Sequence, residues 1–158
     1  METPEIAPLA KEADAAVVAG WIWSEWARHE PGVTRADSDA VVHAALRGDG
    51  LPYFVVARVG NQPVGCASIL SDDLPTRPDI GPWLANVYVL PAWRGRGIGR
   101  ALVENAMAHG TRLADRLYLY AFGSTAWYER LGWRSHDVGD YAGRRIAILH
   151  YDSRPAHP

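Results

Sequence analysis

The residues with the clearest chemical potential stand together at Arg94-Gly95-Arg96-Gly97-Ile98-Gly99-Arg100. The apolar run Trp83 to Leu90 leads into them, Pro91 stops that run, and Ile98, Ala101, Leu102 and Ala106 follow at helical spacing. A strand, a glycine-rich turn and a helix start therefore come in that order. A helix start leaves backbone N–H groups unpaired and carries the positive end of the dipole. Glycines let a ligand approach those groups because no Cβ stands in the way. The product is an anion site suited to a phosphate or pyrophosphate, and Arg94, Arg96 and Arg100 add positive charge beside it.

Two better-known phosphate motifs compete for this segment. A P-loop needs a Lys and a Ser or Thr directly after its second glycine, and no Lys follows here. A dinucleotide fingerprint needs G-x-G-x-x-G, whereas Gly95-Arg96-Gly97-Ile98-Gly99 is one residue short and sits too late in the chain for a Rossmann sheet.

The segment instead resembles the R/Q-x-x-G-x-G/A motif of the GNAT superfamily of N-acetyltransferases, with Arg94, Gly97 and Gly99 at its three fixed positions. A second stretch, Ala126 to Trp133, resembles the family's Y-x-x-x-G-F/W element through Tyr128, Gly132 and Trp133. The likeness spans about Tyr53 to Trp133. It implies acetyl-CoA as the cofactor, with its pyrophosphate held by Arg94, Gly95, Arg96, Gly97, Ile98, Gly99 and Arg100, mainly through backbone N–H groups. It implies a bulged strand at Val87, Tyr88 and Val89 that pairs with the pantetheine arm. A backbone N–H near Val87 would then face the thioester oxygen.

The resemblance gives Tyr128 the role of general acid toward the departing thiolate. A tyrosine with an ordinary pKa of about 10 is protonated at neutral pH and can do this. Packing on a short helix is the other reading of Tyr128. Many members carry an Asn shortly before this tyrosine, and Ser124 or Thr125 stands there instead. Some members place a carboxylate on the strand before the turn, where this chain has Leu84-Ala85-Asn86. Candidate bases elsewhere are Asp72, Asp73, Glu25, Glu30 and His29. The expected acceptor is an amine of a small molecule or peptide, with Trp23, Trp26, His29, Asp73 and Trp83 as liners of its site, joined by Tyr88. Acidic groups with aromatics suit a cationic amine. A coenzyme A-binding sensor or partner module without catalysis is the alternative, and a homodimer is common in the superfamily.

The elements that must position these groups follow from periodicity and breakers. Ala13 to His29 reads as a helix stopped by Pro31-Gly32, and Thr34 caps a second that runs through Arg47. Tyr53 to Val59 and Val64 to Leu70 form a hairpin, Asp72 to Pro82 is a loop, and Trp83 to Leu90 is a strand. Gly97 to Gly110 is a helix, Leu117 to Phe122 a strand, Thr125 to Leu131 a short helix, and Trp133 to Val138 and Arg144 to His150 a last pair of strands. The fold class is α/β (α+β), around one sheet. By resemblance it is a mixed, mostly antiparallel twisted sheet of about six to seven strands with about four helices and a splayed central strand pair.

The 158 residues fit one domain over 1–158, with 1–5 and 153–158 as loose termini. A formal net charge of -2 argues against a general nucleic-acid binder. Cys66 is the single cysteine, so no internal disulfide forms, and its mid-strand place suits a buried, inert thiol. No basic region followed by an apolar run opens the chain, and no stretch reaches the roughly 18 apolar residues of a membrane span, so a cytoplasmic protein with no metal is expected.

Overall fold

The computed structural model describes residues 2–48 and 50–153. Helix α1 (Glu12–Glu25) buries Ala15, Val18, Ala19 and Ile22, which recur every three or four residues along one face. It ends before the expected His29 because Trp26 leaves helical geometry, and a separate 3-10 turn covers Ala27–His29. Helix α2 (Arg35–Ala44) starts where Thr34 predicts. Asp37 N–H donates to Thr34 Oγ1 at 3.2 Å and Thr34 N–H donates to Asp37 Oδ2 at 2.8 Å, a reciprocal cap that satisfies two otherwise unpaired donors.

Seven strands form one sheet: β1 (Glu5–Pro8), β2 (Tyr53–Val59), β3 (Gln62–Leu70), β4 (Trp83–Val89), β5 (Arg116–Ala121), β6 (Arg134–Tyr141) and β7 (Arg144–Asp152). Their spatial order is β1-β2-β3-β4-β5-β7-β6, and only the β4–β5 contact is parallel. Strand β1 was not foreseen. It is four residues long and ends in proline, too short for a pattern, yet it pairs antiparallel with β2 from Glu5↔Arg58 to Pro8↔Val55. Glu5 is thus held in the sheet, and Ser153 donates its N–H to Asp115 O at 2.9 Å. Of the stretches expected to be loose, residues 1 and 154–158 lie outside the described residues.

Helix α3 (Ile98–Leu113) runs three residues past Gly110, which was expected to end it. Gly110 lies flush against the sheet instead: a Cβ there would come within 2.9 Å of Leu117 Cδ2. It is a close-approach glycine, which sequence alone does not tell from a terminator. The short helix α4 (Ala126–Glu129) follows β5.

The sheet separates two apolar layers. On one face α3 packs Leu102, Val103 and Ala106 against Val55, Ala67, Ile69 and Leu117. On the other, α1 and α2 cover Phe54, Val56 and Cys66. The far half of that second face is roofed by the loop 71–82, whose Leu74 enters a cluster of Trp83, Ile146 and Ile148. Arg77 ties this loop to β6, donating to Asp137 Oδ2 at 3.0 Å while also holding Asp79 at 3.0 Å.

Two irregularities prepare the site. In β4 the register with β3 shifts between Cys66↔Tyr88 and Ser68↔Ala85, so β4 carries one extra residue at Asn86–Val87. Beside it, β4 and β5 share the single pair Trp83↔Tyr118 among the described residues, joined by Tyr118 N–H to Pro82 O at 2.9 Å. Past that point the two parallel strands diverge, and the β4 edge from Leu84 onward has no register partner on β5. The splayed central pair is as the resemblance implied.

Candidate active site

The bulge begins with an uncommon backbone. Asn86 has φ 54, a left-handed conformation that asparagine adopts more readily than other non-glycine residues. The neighbouring strand pins it: Ser68 Oγ lies 2.9 Å from Asn86 Oδ1 and 3.0 Å from Ala85 O, and the Cys66 thiol donates to Asn86 O at 3.2 Å. Cys66 is fully buried, and burial pushes its thiol up to about 12. A thiol held neutral in this way is a structural donor and not a nucleophile.

Strand β4 then enters the turn. Gly95 and Gly97 have φ of 77 and 80, and nothing lies within 4 Å of where a Cβ on either would point. Only glycine adopts these angles without strain, and the space beside them is open. Ala101 N–H donates to Gly97 O at 3.2 Å, which closes the first turn of α3 and leaves the preceding N–H groups without helical partners. Ile98, 5% exposed, anchors that end in the core. Gly99 sits over Val89. The arginines are already engaged. Arg94 donates to Val89 O at 2.8 Å and lies over the Tyr88 ring, Arg96 lies over Trp93, and Arg100 pairs with Glu104 at 2.8 Å. The charge surrounds the turn while the backbone supplies its concave donors.

Tyr128 stands on α4, packed edge-on to Trp127. Its carbonyl accepts from Leu131 N–H at 2.9 Å and from Trp133 N–H at 3.2 Å. Gly132 makes this tight reversal possible, with φ 100 and a Tyr151 ring carbon 3.1 Å from where its Cβ would be. Trp133 then locks the element into the core and donates its indole N–H to Met107 Sδ at 3.4 Å. The spacing Tyr-x-x-x-Gly-Trp is thus a local folding rule as well as a motif. Burial raises the Tyr128 hydroxyl above its ordinary pKa, so it stays protonated at neutral pH.

One cavity of about 560 Å³ joins the β4 bulge and Tyr128. Leu84, Ala85, Asn86 and Val87 line it from β4, with Tyr128 also in the wall; Ile22, Trp26, Glu30, Ser38 and Val41 close it from α1, α2 and the segment between them. Asp73 comes in on the loop 71–82, while Tyr120, Phe122 and Tyr141 line it from β5 and β6 and the end of β5. Burial first, and then the nearby Glu30 carboxylate, raise Asp73 to about 7. Tyr120 is raised in turn by burial and by Asp73 and Glu30, which places all three within electrostatic reach of one another.

Of the acceptor liners expected from sequence, Trp26 and Asp73 reach this cavity. Trp23 and His29 do not line it. Trp83 does not line it either: it is fully buried in the cluster with Leu74, Ile146 and Ile148, tilted against Tyr118 and edge-on to Tyr120, and gives its indole N–H to Ile80 O at 3.0 Å. Tyr88 faces α1, against Trp21 and Trp26, because the bulge sets Val87 and Val89 toward the other layer. Ser124 is exposed, and its Oγ accepts from Ala126 N–H at 3.4 Å; Thr125 Oγ1 donates to Glu129 at 3.0 Å. The liners Tyr120, Phe122, Tyr141, Ser38 and Asp37 carried no sequence signal, since they come from segments far apart in the chain.

Residues 52–135, more than half of the chain, match the acetyltransferase (GNAT) domain family. The chain belongs to this family. Solved structures share its fold. A GNAT-family protein from Desulfovibrio desulfuricans superposes with a TM-score of 0.71 at 21% identity, over 95% of this chain and 99% of its own. The Salmonella typhimurium protein yncA, solved with its cofactor acetyl-CoA, gives 0.71 at 20% identity over 99% and 98%. An aminoglycoside 6′-N-acetyltransferase complexed with coenzyme A gives 0.72 at 14% identity over 98% and 99%. No curated protein sequence matches the chain significantly. No helix among the described residues is long and apolar enough to cross a membrane, and these residues contain no cluster of metal-ligating side chains.

Proposed function

We propose that this chain is an acetyl-CoA-dependent N-acetyltransferase that passes the acetyl group directly to an amine while both substrates are bound. The observation that carries this reading is the convergence of the Asn86–Val87 bulge, Tyr128 and Asp73 on one cavity, on the strand that leads into the glycine turn before α3. The open space beside Gly95 and Gly97 and the unpaired donors that start α3 fit a diphosphate.

Acetyl-CoA supplies an acyl carbon activated by a thioester and a thiolate that must gain a proton as it leaves. Backbone N–H groups between Gly95 and Arg100 would hold its diphosphate. The unpaired edge of β4 at Val87 to Val89 would pair with the pantetheine amides as an added strand does. The Val87 N–H would face the acyl oxygen, where negative charge gathers. Asp73 in its ionised form takes a proton from the ammonium group, so that nitrogen has a lone pair to form the N–C bond. As that bond forms the C–S bond would break, with Tyr128 giving its hydroxyl proton to sulfur and regaining one from the new amide nitrogen, so that the net proton released is the one left on Asp73. A carboxyl at about 7 is half ionised at neutral pH, which suits a base.

Delivery of a carboxylate by the loop 71–82 answers the lack of one on β4, and it favours an enzyme over a binding-only module. The test is thiol release from acetyl-CoA across a panel of amines, with the product identified by mass. Amine-dependent release is expected. Tight acetyl-CoA binding with no release on any amine would leave a binding module.

A further inference from the structure

A hydroxyl on α2 is unexplained by the chemistry above. Ser38 is 4% exposed and lines the cavity, yet its Oγ has no hydrogen-bond partner. A serine inside a helix commonly returns a hydrogen bond to the carbonyl four residues back. Here Thr34 O already accepts from the N–H groups of Asp37 and Ser38, at 3.1 and 3.4 Å, and the hydroxyl is left over. A buried hydroxyl without a partner costs stability, so such a group at a cavity wall calls for a ligand atom.

The charge around it has one sign. Glu30, Asp37 and Asp73 line the cavity, and among its described lining residues there is no Lys, Arg or His. Asp37 is committed to the α2 cap. Glu30 and Asp73 are close enough to repel each other, and a cation between them relieves that repulsion. Aromatic rings line the same cavity: Trp26, Tyr120, Phe122 and Tyr141. They offer π faces to an ammonium group and apolar surface to the body that bears it. A carboxylate brought into this cavity would meet two negative groups and no counter-charge.

We propose that the acceptor is a small amine without a carboxylate, which enters as a cation between Glu30 and Asp73 and presents a second hydrogen-bonding group to Ser38. This inference rests on the acetyl-transfer reading and names the acceptor class for it. The volume of about 560 Å³ is in the usual range for a small-molecule site.

Matched acceptors test it with the full chain and acetyl-CoA. Tyramine and tyrosine differ by a carboxylate, tyramine and 2-phenylethylamine by a hydroxyl, and a C-terminally amidated tetrapeptide with uncharged side chains and a free N-terminus represents peptides. Tyramine should exceed tyrosine and the tetrapeptide in kcat/KM by about tenfold or more, and 2-phenylethylamine by about threefold or more. Glu30→Gln should shrink the tyramine-to-tyrosine ratio by at least about threefold, mainly through KM. Ser38→Ala should bring the tyramine-to-2-phenylethylamine ratio to about one, while its Tm stays level or rises because a buried unpaired hydroxyl has gone. Tyrosine or the tetrapeptide matching tyramine overturns the acceptor class and leaves acetyl transfer standing. An unchanged hydroxyl ratio in the folded Ser38→Ala protein overturns the role of Ser38. No transfer to any of the four, with acetyl-CoA bound, sinks the transfer reading and this inference together.

Discussion

The turn that opens α3 and the cavity beside it are built by different means. The turn is seven consecutive residues whose useful groups are backbone N–H donors, with its arginines engaged by neighbouring groups. The cavity draws side chains from α1, α2, the loop 71–82, β4, β5, α4 and β6. A site made of backbone depends on conformation, and one residue of the wrong type ruins it. A site made of side chains depends on assembly, and each member carries a share. The difference sets how each region should fail.

The largest effect is expected at the turn. Gly97→Glu forces a side chain with negative charge onto a left-handed residue beside the donors, and it should weaken acetyl-CoA binding by about a hundredfold or more in titration calorimetry, with the fold intact by circular dichroism. Arg94→Ala, which touches only a side chain, should weaken binding far less; an equal loss would break the comparison. At the junction of the regions, Tyr128→Phe should lower kcat by about a hundredfold while the Kd for acetyl-CoA changes little, as befits a general acid. An unchanged kcat removes that role.

Asp73→Asn should lower kcat/KM by about tenfold to a hundredfold and abolish a rise in rate through about pH 7 that the natural chain shows. Stability should respond with the opposite sign. The folded pKa lies above the unfolded value, so the folded chain holds a proton that the unfolded one has lost, and stability falls as pH rises from about 4 through about 7. The Asn variant should therefore melt higher than the natural chain at pH 8 and about level with it at pH 4. The smallest effect is expected from Arg77→Ala. It frees the loop 71–82 from Asp137, and it should raise the acceptor KM by about threefold without moving the acetyl-CoA Kd. Because this pair is exposed, moderate salt should produce part of the same rise in the natural chain.

The same contrast explains what could be read in advance. The turn, the Tyr128 element and the Thr34 cap are contiguous, and their residue types follow from local backbone demands, so the sequence displays them directly. Strands β2 to β5 and β7 are legible because each carries a run rich in apolar residues, whereas β6 is mostly polar. The four-residue β1 is not, since its order comes from pairing with β2. The aromatic and acidic walls of the cavity were half legible. Trp26 and Asp73 reach it, whereas Trp83 is buried in the cluster under the loop 71–82, and nothing local says which face the bulge will leave open. Ser38 was invisible, because its importance lies in the partner it lacks.

The divergence of β4 and β5 also bears on solubility. A strand edge on the outside of a sheet is a template on which other chains aggregate. The open edge of β4 lies within the sheet, with β5 as the far bank of a narrow slot that starts at Trp83↔Tyr118. A foreign sheet arrives with its own neighbours and cannot enter. A single extended chain can, so the gap selects slender guests by its width.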